Sequence, residues 1–330
     1  MVFRKLWWKN LIVVGIFFLI VMLISSLFLP SYNNQEGVVV VIPKGKDSFQ
    51  IAQTLSQKKL IKSKILFLLL SKILGLEKSF KAGSYEFSSS TMFEILDKLK
   101  KGKVKTYRVT IPEGLTKWDI TDILGEKGIV EKGAFLAIVD NPSSIFKKES
   151  FLPESDLEGY LYPDTYYFTR GGNPEEVVKK FVFRFKEMIF LPYQKLKEKN
   201  NFSLKDVVIM ASIIEKEAQL SSEKPIIAAV FYNRLKKGMR LRADPTIKYA
   251  LGSFRIRLTR SELRTPSFYN TYLYHGLPPG PICNPGKDSI YTALHPADVD
   301  YLYFVAKGDG SHKFSKTYEE HLEAVYKYQK

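Results

Sequence analysis

Hydrophobic and polar positions divide the chain into one long apolar stretch and a series of shorter amphipathic segments. The long stretch, Leu11 to Leu29, contains no charged residue and is long enough to cross a bilayer as one helix. Arg4, Lys5 and Lys9 precede it, so the positive-inside rule predicts a cytoplasmic N-terminus and places everything after Pro30 outside the cytoplasm. Because no small-residue cleavage site follows, we expect an uncleaved single-pass anchor in the cytoplasmic (inner) membrane rather than a removed signal peptide.

A second pattern, over residues 203–218, predicts a helix with one buried face. It begins with a serine and, three residues on, an aspartate, which is typical of a capped helix start, and apolar residues then recur at helical spacing. Glu215 and Glu217 lie on the two edges of the apolar face near the end of this helix. Lys216, between them, is expected to point to water.

The two glutamates are candidates for acid chemistry. A carboxyl group at the edge of a cleft is partly shielded from water, which raises its pKa and allows it to act as a general acid. Exposure to solvent is the more ordinary state of a Glu-Lys-Glu run at a helix end. The helical pattern does not choose between Glu215 and Glu217.

A repeat occupies the region before this helix. Residues 38–67 and 107–136 are related by a shift of 69 positions, with Ile-Pro-Lys-Gly at 42–45 matching Ile-Pro-Glu-Gly at 111–114. Each copy predicts a short strand, a Pro-Gly turn and two helices. The pattern resembles LysM-type modules, β-α-α-β units that bind N-acetylglucosamine polymers; the alternative is scaffolding that touches no sugar. Residues 66–76 are apolar but too short to span a bilayer, so we expect a buried helix there.

These patterns predict an α+β protein with one transmembrane helix, LysM-like β-α-α-β units and a C-terminal mixed α+β domain. Residues 157–168 are dense in aromatic side chains, which suits a sugar-binding groove or an ordinary core. The expected divisions are an N-terminus and anchor at 1–30, a linker at 31–37, a LysM-like domain at 38–103, and a C-terminal domain at 104–330 that contains a second LysM-like unit at 104–140 and a core at 157–330.

Composition adds three restrictions. The net charge of +16 would suit a nucleic-acid partner, but the lysines are dispersed and no nucleic-acid-binding motif is present, so we expect none and relate the charge to a membrane surface. Cys283 is the single cysteine, which excludes an intrachain disulfide and favours a passive thiol. The four histidines lack metal-ligand spacing, and we expect neither a metal nor another cofactor.

Several longer sequence motifs, spread over nearly the whole chain, match those of a known protein family. The chain closely resembles the MltG (YceG-like) family of endolytic murein transglycosylases. The matching segments are KAGSYEF, EGYLYPDTY, ASIIEKEA, AAVFYNRLKKGMRLRADPT, YNTYLYHGLPPGPICNPG, ALHPADVDYLYFVAKGDGSHKF and YEEH.

The resemblance implies that residues 104–330 are a catalytic domain with its catalytic core at 157–330, and that Glu217 is the catalytic acid. The implied enzyme is a lyase that cleaves the β-1,4 bond between N-acetylmuramic acid and N-acetylglucosamine in nascent glycan strands and leaves a 1,6-anhydro end. The resemblance also implies strand termination near wall-synthesis (penicillin-binding) proteins. The alternatives are a non-catalytic wall-binding adaptor and a muramidase that adds water, with Glu215, Asp244 or Glu158 as its second carboxylate. Further residues with expected roles in substrate binding are Glu158, Asp164, Asn233, Arg234, Asp244, Asn270, Thr271, Tyr272 and Asn284.

Overall fold

A computed structural model describes residues 37–43, 45–147, 149–196, 202–254 and 257–329. The predicted anchor, Leu11 to Leu29, lies outside the described residues. Among the helices that are described, none is both long and apolar enough to cross a membrane. The mixture of helices with short antiparallel strands confirms the expected α+β class.

The chain divides into two compact units, residues 1–107 and 108–330, four positions beyond the expected boundary after Lys103. The described elements of the first unit are β1 (Val38–Ile42), α1 (Ser48–Gln57), α2 (Lys64–Ile73), β2 (Gly83–Phe87) and α3 (Met92–Lys101).

In the first unit, β1 and β2 pair antiparallel, with Val38 opposite Phe87 and Ile42 opposite Gly83. One side of each strand and helix is buried in a common core, whose largest side chains include Phe67 and Tyr85. The unit therefore has the element order β-α-α-β, followed by one further helix. Whether it binds sugar stays a prediction.

The second unit contains the longer helices. Its described elements are β3 (Tyr107–Thr110), α4 (Lys117–Glu126), α5 (Lys132–Asp140), β4 (Thr165–Phe168), α6 (Pro174–Phe185), α7 (Leu191–Leu196), α8 (Leu204–Glu217), α9 (Lys224–Lys236), α10 (Asp244–Ala250), α11 (Lys287–Leu294), β5 (Tyr303–Ala306), β6 (His312–Ser315) and α12 (Tyr318–Tyr328).

The sequence repeat corresponds to a repeat of structure. Strand β3 pairs with β4, so β3, α4, α5 and β4 have the same order as β1, α1, α2 and β2. Both first helices begin with a capping box, formed by Asp47 with Gln50 and by Thr116 with Asp119. The two caps are separated by the same 69 positions as the rest of the repeat.

The helix that begins at Pro174 continues past residue 190, because a π-helical turn at Lys186–Phe190 leads directly into α7, in which Pro192 is the second residue. In the aromatic segment 157–168, Tyr160, Tyr162 and Tyr166 are buried, so most of its aromatic area belongs to the core and not to an open groove.

Candidate active site

Helix α8 is the central helix of the second unit. The Ser203 hydroxyl caps it by accepting the backbone N–H of Asp206, at 3.1 Å. Eight consecutive residues, Val207 to Ile214, are buried, so the helix is enclosed on every side and not only on the single face expected from the sequence. Because the helix is enclosed, the charged residues at its C-terminal end, Glu215 to Glu217, lie close to neighbouring parts of the second unit.

Glu217 is the last residue of α8, and its side chain is half-buried. Within the described part of the chain, its carboxyl group has no hydrogen-bond partner. Loss of water contact, followed by the nearby Asp244 carboxylate, raises the pKa of Glu217 to about 8 against the weaker opposing effects of Lys248 and Arg234. The position at a helix C-terminus acts in the same direction, because the terminal carbonyl groups disfavour a negative charge.

Glu215, unlike Glu217, is bound by hydrogen bonds and an ion pair from other parts of the protein. Its carboxylate lies 3.4 Å from the Lys224 ammonium group, and it accepts hydrogen bonds from the Gly286 N–H at 3.1 Å and the Ser289 hydroxyl at 2.6 Å. These bonds connect the end of α8 to the first turn of α11. Glu215 is therefore held in place by neighbouring protein groups, whereas the half-buried Glu217 carboxyl has no such contacts among the described residues.

Lys216 does not point to water as expected. It is half-buried, its ammonium group donates to the Gly114 carbonyl at 3.1 Å, and it lies 4.1 Å from the centre of the Phe254 ring. The sequence pattern missed this because Gly114 is distant along the chain, in the turn of the second repeat. That turn packs against the end of α8.

Among the predicted site residues, Asp244 has the largest electrostatic effect on the Glu217 carboxyl. It is the first residue of α10, and its carboxylate accepts the Tyr272 hydroxyl at 2.7 Å. Lys248, one turn later on α10, also acts on the Glu217 charge. Lys248 was not among the site residues predicted from the sequence, although the i, i+4 spacing from Asp244 places both on one face of a helix.

Asn233 and Arg234 on α9 use their side chains to hold the backbone of the C-terminal region. The Asn233 amide donates to the carbonyls of Val299 and Tyr301, and the Arg234 guanidinium donates to Leu302 at 2.7 Å. Arg234 is buried yet close enough to Glu217 to lower the pKa of that carboxyl. Direct binding of substrate by either residue stays a prediction.

Asn270, Thr271 and Tyr272 form a turn beside α10, in which Asn270 and Thr271 are buried and Tyr272 is half-buried. The Asn270 amide donates to two backbone carbonyls of its own loop, and the Thr271 hydroxyl accepts the Ala243 N–H at 3.0 Å. The same loop holds Arg242 in a left-handed backbone conformation, with φ of 50°, through a bond from the Arg242 N–H to the Thr271 carbonyl. The loop fixes the start of α10, and with it Asp244.

Glu158 and Asn284 form a buried polar network beneath this region. The Glu158 side chain, 2% exposed, accepts the Lys117 N–H, the Tyr249 hydroxyl and the Asn284 amide. Burial raises the pKa of Glu158 to about 8. Because Asn284 also bonds the backbone of Leu115 and Leu161, the pair joins three loops of the second unit, and direct contact of either with sugar stays a prediction.

Asp164 lies apart from these residues. Its carboxylate pairs with the Arg184 guanidinium on α6 at 2.6 Å. No contact connects it to Glu217 or Asp244 in the ranges described above, so the structure does not bring it into the same group.

An aromatic cluster that the sequence analysis did not select lies along α10. Trp118 on α4 packs against Tyr249 with ring centres 5.3 Å apart, and Tyr249 packs against Tyr269 at 5.0 Å. Trp118 is partly exposed, and α10 carries both Tyr249 and, five residues earlier, Asp244. An exposed indole is a suitable surface for the apolar face of a sugar ring.

Other chemistry has less support. Cys283 is buried and packs against the Ser212 carbonyl, and burial raises the pKa of its thiol far above the ordinary value. In the described ranges, no group of three or more His, Cys, Asp and Glu side chains is placed to hold a metal ion. The group around Glu217 thus offers one protonated carboxyl with polar and cationic neighbours.

The chain matches known proteins over most of its length. A family model described as the YceG-like family matches residues 40–327. The chain belongs to the YceG-like family. Among solved structures, a YceG-like protein from Listeria monocytogenes is 36% identical, with a TM-score of 0.61, and the match covers 88% of this chain and 99% of that one.

Curated relatives from Bacillus and Streptococcus carry the name endolytic murein transglycosylase. The protein from Bacillus subtilis is 34% identical over 310 residues, which cover 90% of this chain and 86% of the relative. The protein from Streptococcus pneumoniae R6 is 30% identical over 329 residues, which cover 90% of this chain and 59% of the relative.

Proposed function

We propose that this protein is a lytic transglycosylase that cleaves murein glycan strands with Glu217 as its acid. The observation that carries the proposal is the open Glu217 carboxyl at the end of a buried helix, with its pKa raised to about 8. A pKa raised to about 8 keeps this group mainly protonated at neutral pH, as a general acid requires. The name shared by the relatives from Bacillus and Streptococcus supports the same reaction.

One carboxyl group suffices for this reaction because the substrate supplies the nucleophile. Glu217 protonates the glycosidic oxygen between N-acetylmuramic acid and N-acetylglucosamine as the bond from C1 to that oxygen breaks. The carboxylate then takes the proton of the muramyl C6 hydroxyl, whose oxygen bonds to C1 and closes a 1,6-anhydro ring. The proton returns to Glu217, and no water is consumed.

A hydrolytic muramidase is the second candidate, because Asp244 is a carboxylate close enough to influence the Glu217 charge. Hydrolysis requires such a second group to activate water. Glu215 and Glu158 are poorer candidates for that role, since both are held by hydrogen bonds from the protein. The hydrogen bond from Tyr272 to Asp244 supports a positioning and electrostatic role for Asp244.

Binding of the glycan requires a surface that extends beyond the acid. Helix α10 leads from Asp244 to Tyr249, a distance of roughly 7–8 Å at the rise of an α-helix. Tyr249, on the same helix as the Asp244 carboxylate that acts on Glu217, packs against the partly exposed ring of Trp118. The place of Trp118 on α4, in the second LysM-like unit, supports a glycan-binding role for that unit.

The location we propose is outside the cytoplasmic membrane, with Leu11 to Leu29 as an uncleaved anchor. Its support is the uncharged apolar sequence and the basic residues before it. A membrane-bound enzyme meets glycan strands as they are polymerised. We therefore propose that the enzyme terminates these strands and works near penicillin-binding proteins.

A pair of glutamine variants tests the role of Glu217. Glu217→Gln keeps the shape of the side chain but removes its proton, so strand cleavage should fall by about 10²–10⁴-fold. Glu215→Gln, its matched control two residues away, should keep most of the cleavage at temperatures where it remains folded. Circular dichroism of both variants separates loss of chemistry from loss of fold. Full activity of Glu217→Gln would contradict the assignment.

A further inference from the structure

Helix α2 of the first unit exposes an apolar face to solvent. Ile65, Leu69 and Ile73 follow each other at intervals of four residues and are 79%, 53% and 70% exposed. Leu66 and Phe67, on another side of the helix, are buried in the core of the unit. The segment was expected to be a buried helix, but only one side of it is buried.

Spacing and flanking charge distinguish this face from scattered surface residues. Side chains four residues apart are neighbours on a helix, so the three form a continuous strip, which Leu74 extends at 47% exposure. Lys62, Lys64 and Lys72 are exposed beside it. Apolar side chains flanked by lysines, whose long stems reach outward, are typical of helices that lie in a membrane interface.

The position of this unit in the sequence indicates what covers the face. Only seven residues separate Leu29, the end of the predicted anchor, from Gly37, the start of the described chain. Fully extended, that tether reaches at most about 28 Å. A unit of this size has a radius of gyration of roughly 11 Å, so the tether keeps it within about its own diameter of the bilayer.

Charge favours the same occupant. Residues 37–107 contain 14 lysines against five aspartates and glutamates, a net charge of +9. Such a unit is attracted to anionic lipid headgroups, each basic residue near the surface adding to the attraction. Two copies of the unit would repel one another, which disfavours self-association through this face.

We propose that the apolar face of α2 lies on the outer surface of the membrane that holds the anchor. In this arrangement Ile65, Leu69 and Ile73 enter the boundary between headgroups and acyl chains, and the lysines contact anionic headgroups. The first unit then works as a second, interfacial membrane contact. This inference is independent of the cleavage reaction proposed for the second unit.

Lipid quenching of a fluorescent label tests the proposal on the full-length chain. The protein is incorporated into nanodiscs of phosphatidylethanolamine and phosphatidylglycerol at about three to one. One sample carries the label on the cysteine of Leu74→Cys, next to the apolar face. The control sample carries it on the cysteine of Asp97→Cys, on α3. Cys283 is buried, and the unsubstituted protein measures any labelling there. Incorporation into the discs tests the anchor separately.

We expect nitroxide groups on the lipid acyl chains to quench the label at residue 74 at least about threefold more than the label at residue 97. The triple variant Ile65→Ser, Leu69→Ser and Ile73→Ser alters only exposed side chains, so it should remain folded and reduce quenching at residue 74 to the control value. Equal quenching at residues 74 and 97 would overturn the proposal. A second result would also overturn it. If, without lipid, the label at residue 74 becomes shielded from water as the protein concentration rises, a second copy of the protein covers the face.

Discussion

Replacing Glu217 by glutamine should make the protein more stable at alkaline pH even as it removes the proposed acid. The reason is the raised pKa, about 8 in place of the ordinary 4.5. A carboxyl group with a higher pKa in the folded than in the unfolded chain binds its proton more tightly when folded. Its contribution to stability is present below pH of about 4.5 and is lost as the pH rises through about 8.

The magnitude follows from the size of the shift. At about 1.4 kcal/mol per pKa unit, ionising Glu217 in the folded protein costs at most about 5 kcal/mol. The side chain keeps some contact with solvent, which reduces the penalty, so we expect about 1–3 kcal/mol. Glutamine cannot ionise, and the variant avoids this penalty at every pH.

Thermal unfolding at pH 4 and pH 9 measures the effect. For a unit of this length, the Tm of Glu217→Gln should exceed that of the unsubstituted protein at pH 9 by roughly 3–10 °C and match it at pH 4. Glu215→Gln should have the lower Tm at pH 9, because it weakens the contacts with Lys224, Gly286 and Ser289. If Glu217→Gln is destabilised at pH 9, or shifts Tm equally at both pH values, the inferred environment of Glu217 is wrong.

Three further predictions concern the surroundings of the acid and the anchor. Asp244→Asn removes a charge that raises the Glu217 pKa, so activity should decline with rising pH about 0.5–1 unit earlier; an unchanged profile of kcat/KM against pH contradicts the coupling. Trp118→Ala should raise KM for glycan strands several-fold with little change in kcat, and equal loss of both would indicate a structural role for this residue. The full chain should stay with membranes after a high-salt wash, whereas a soluble form beginning near Pro30 would refute an uncleaved Leu11–Leu29 anchor.

The helices, the repeat and the position of the key helix could be predicted from local sequence. Apolar spacing and capping residues act within a few positions, and the start of α8 at Ser203 follows from them. The structural repeat followed from the matching turns at 42–45 and 111–114. Periodicity could not indicate that α8 is buried on all sides, because that depends on which helices surround it.

The choice of Glu217 over Glu215 came from the family resemblance, and the different surroundings of the two glutamates became visible only in the structure. Glu215 bonds Gly286 and Ser289, about 70 positions away, and no local pattern reports such contacts. The aromatic segment 157–168 was ambiguous for a similar reason, since the composition of a core and of a sugar groove can be identical. Trp118 was missed because a single tryptophan on a short helix has no distinguishing sequence context.

The most direct test of the central claim is the mass of the products released from purified glycan strands. A lytic transglycosylase with Glu217 as its acid produces fragments that end in 1,6-anhydro-N-acetylmuramic acid, each lighter by one water molecule than the hydrolytic product. We predict these fragments from the unsubstituted protein and from Glu215→Gln, and their near absence with Glu217→Gln. Fragments with reducing ends would contradict the transglycosylase mechanism, and anhydro fragments from Glu217→Gln at the full rate would show that the acid is another residue.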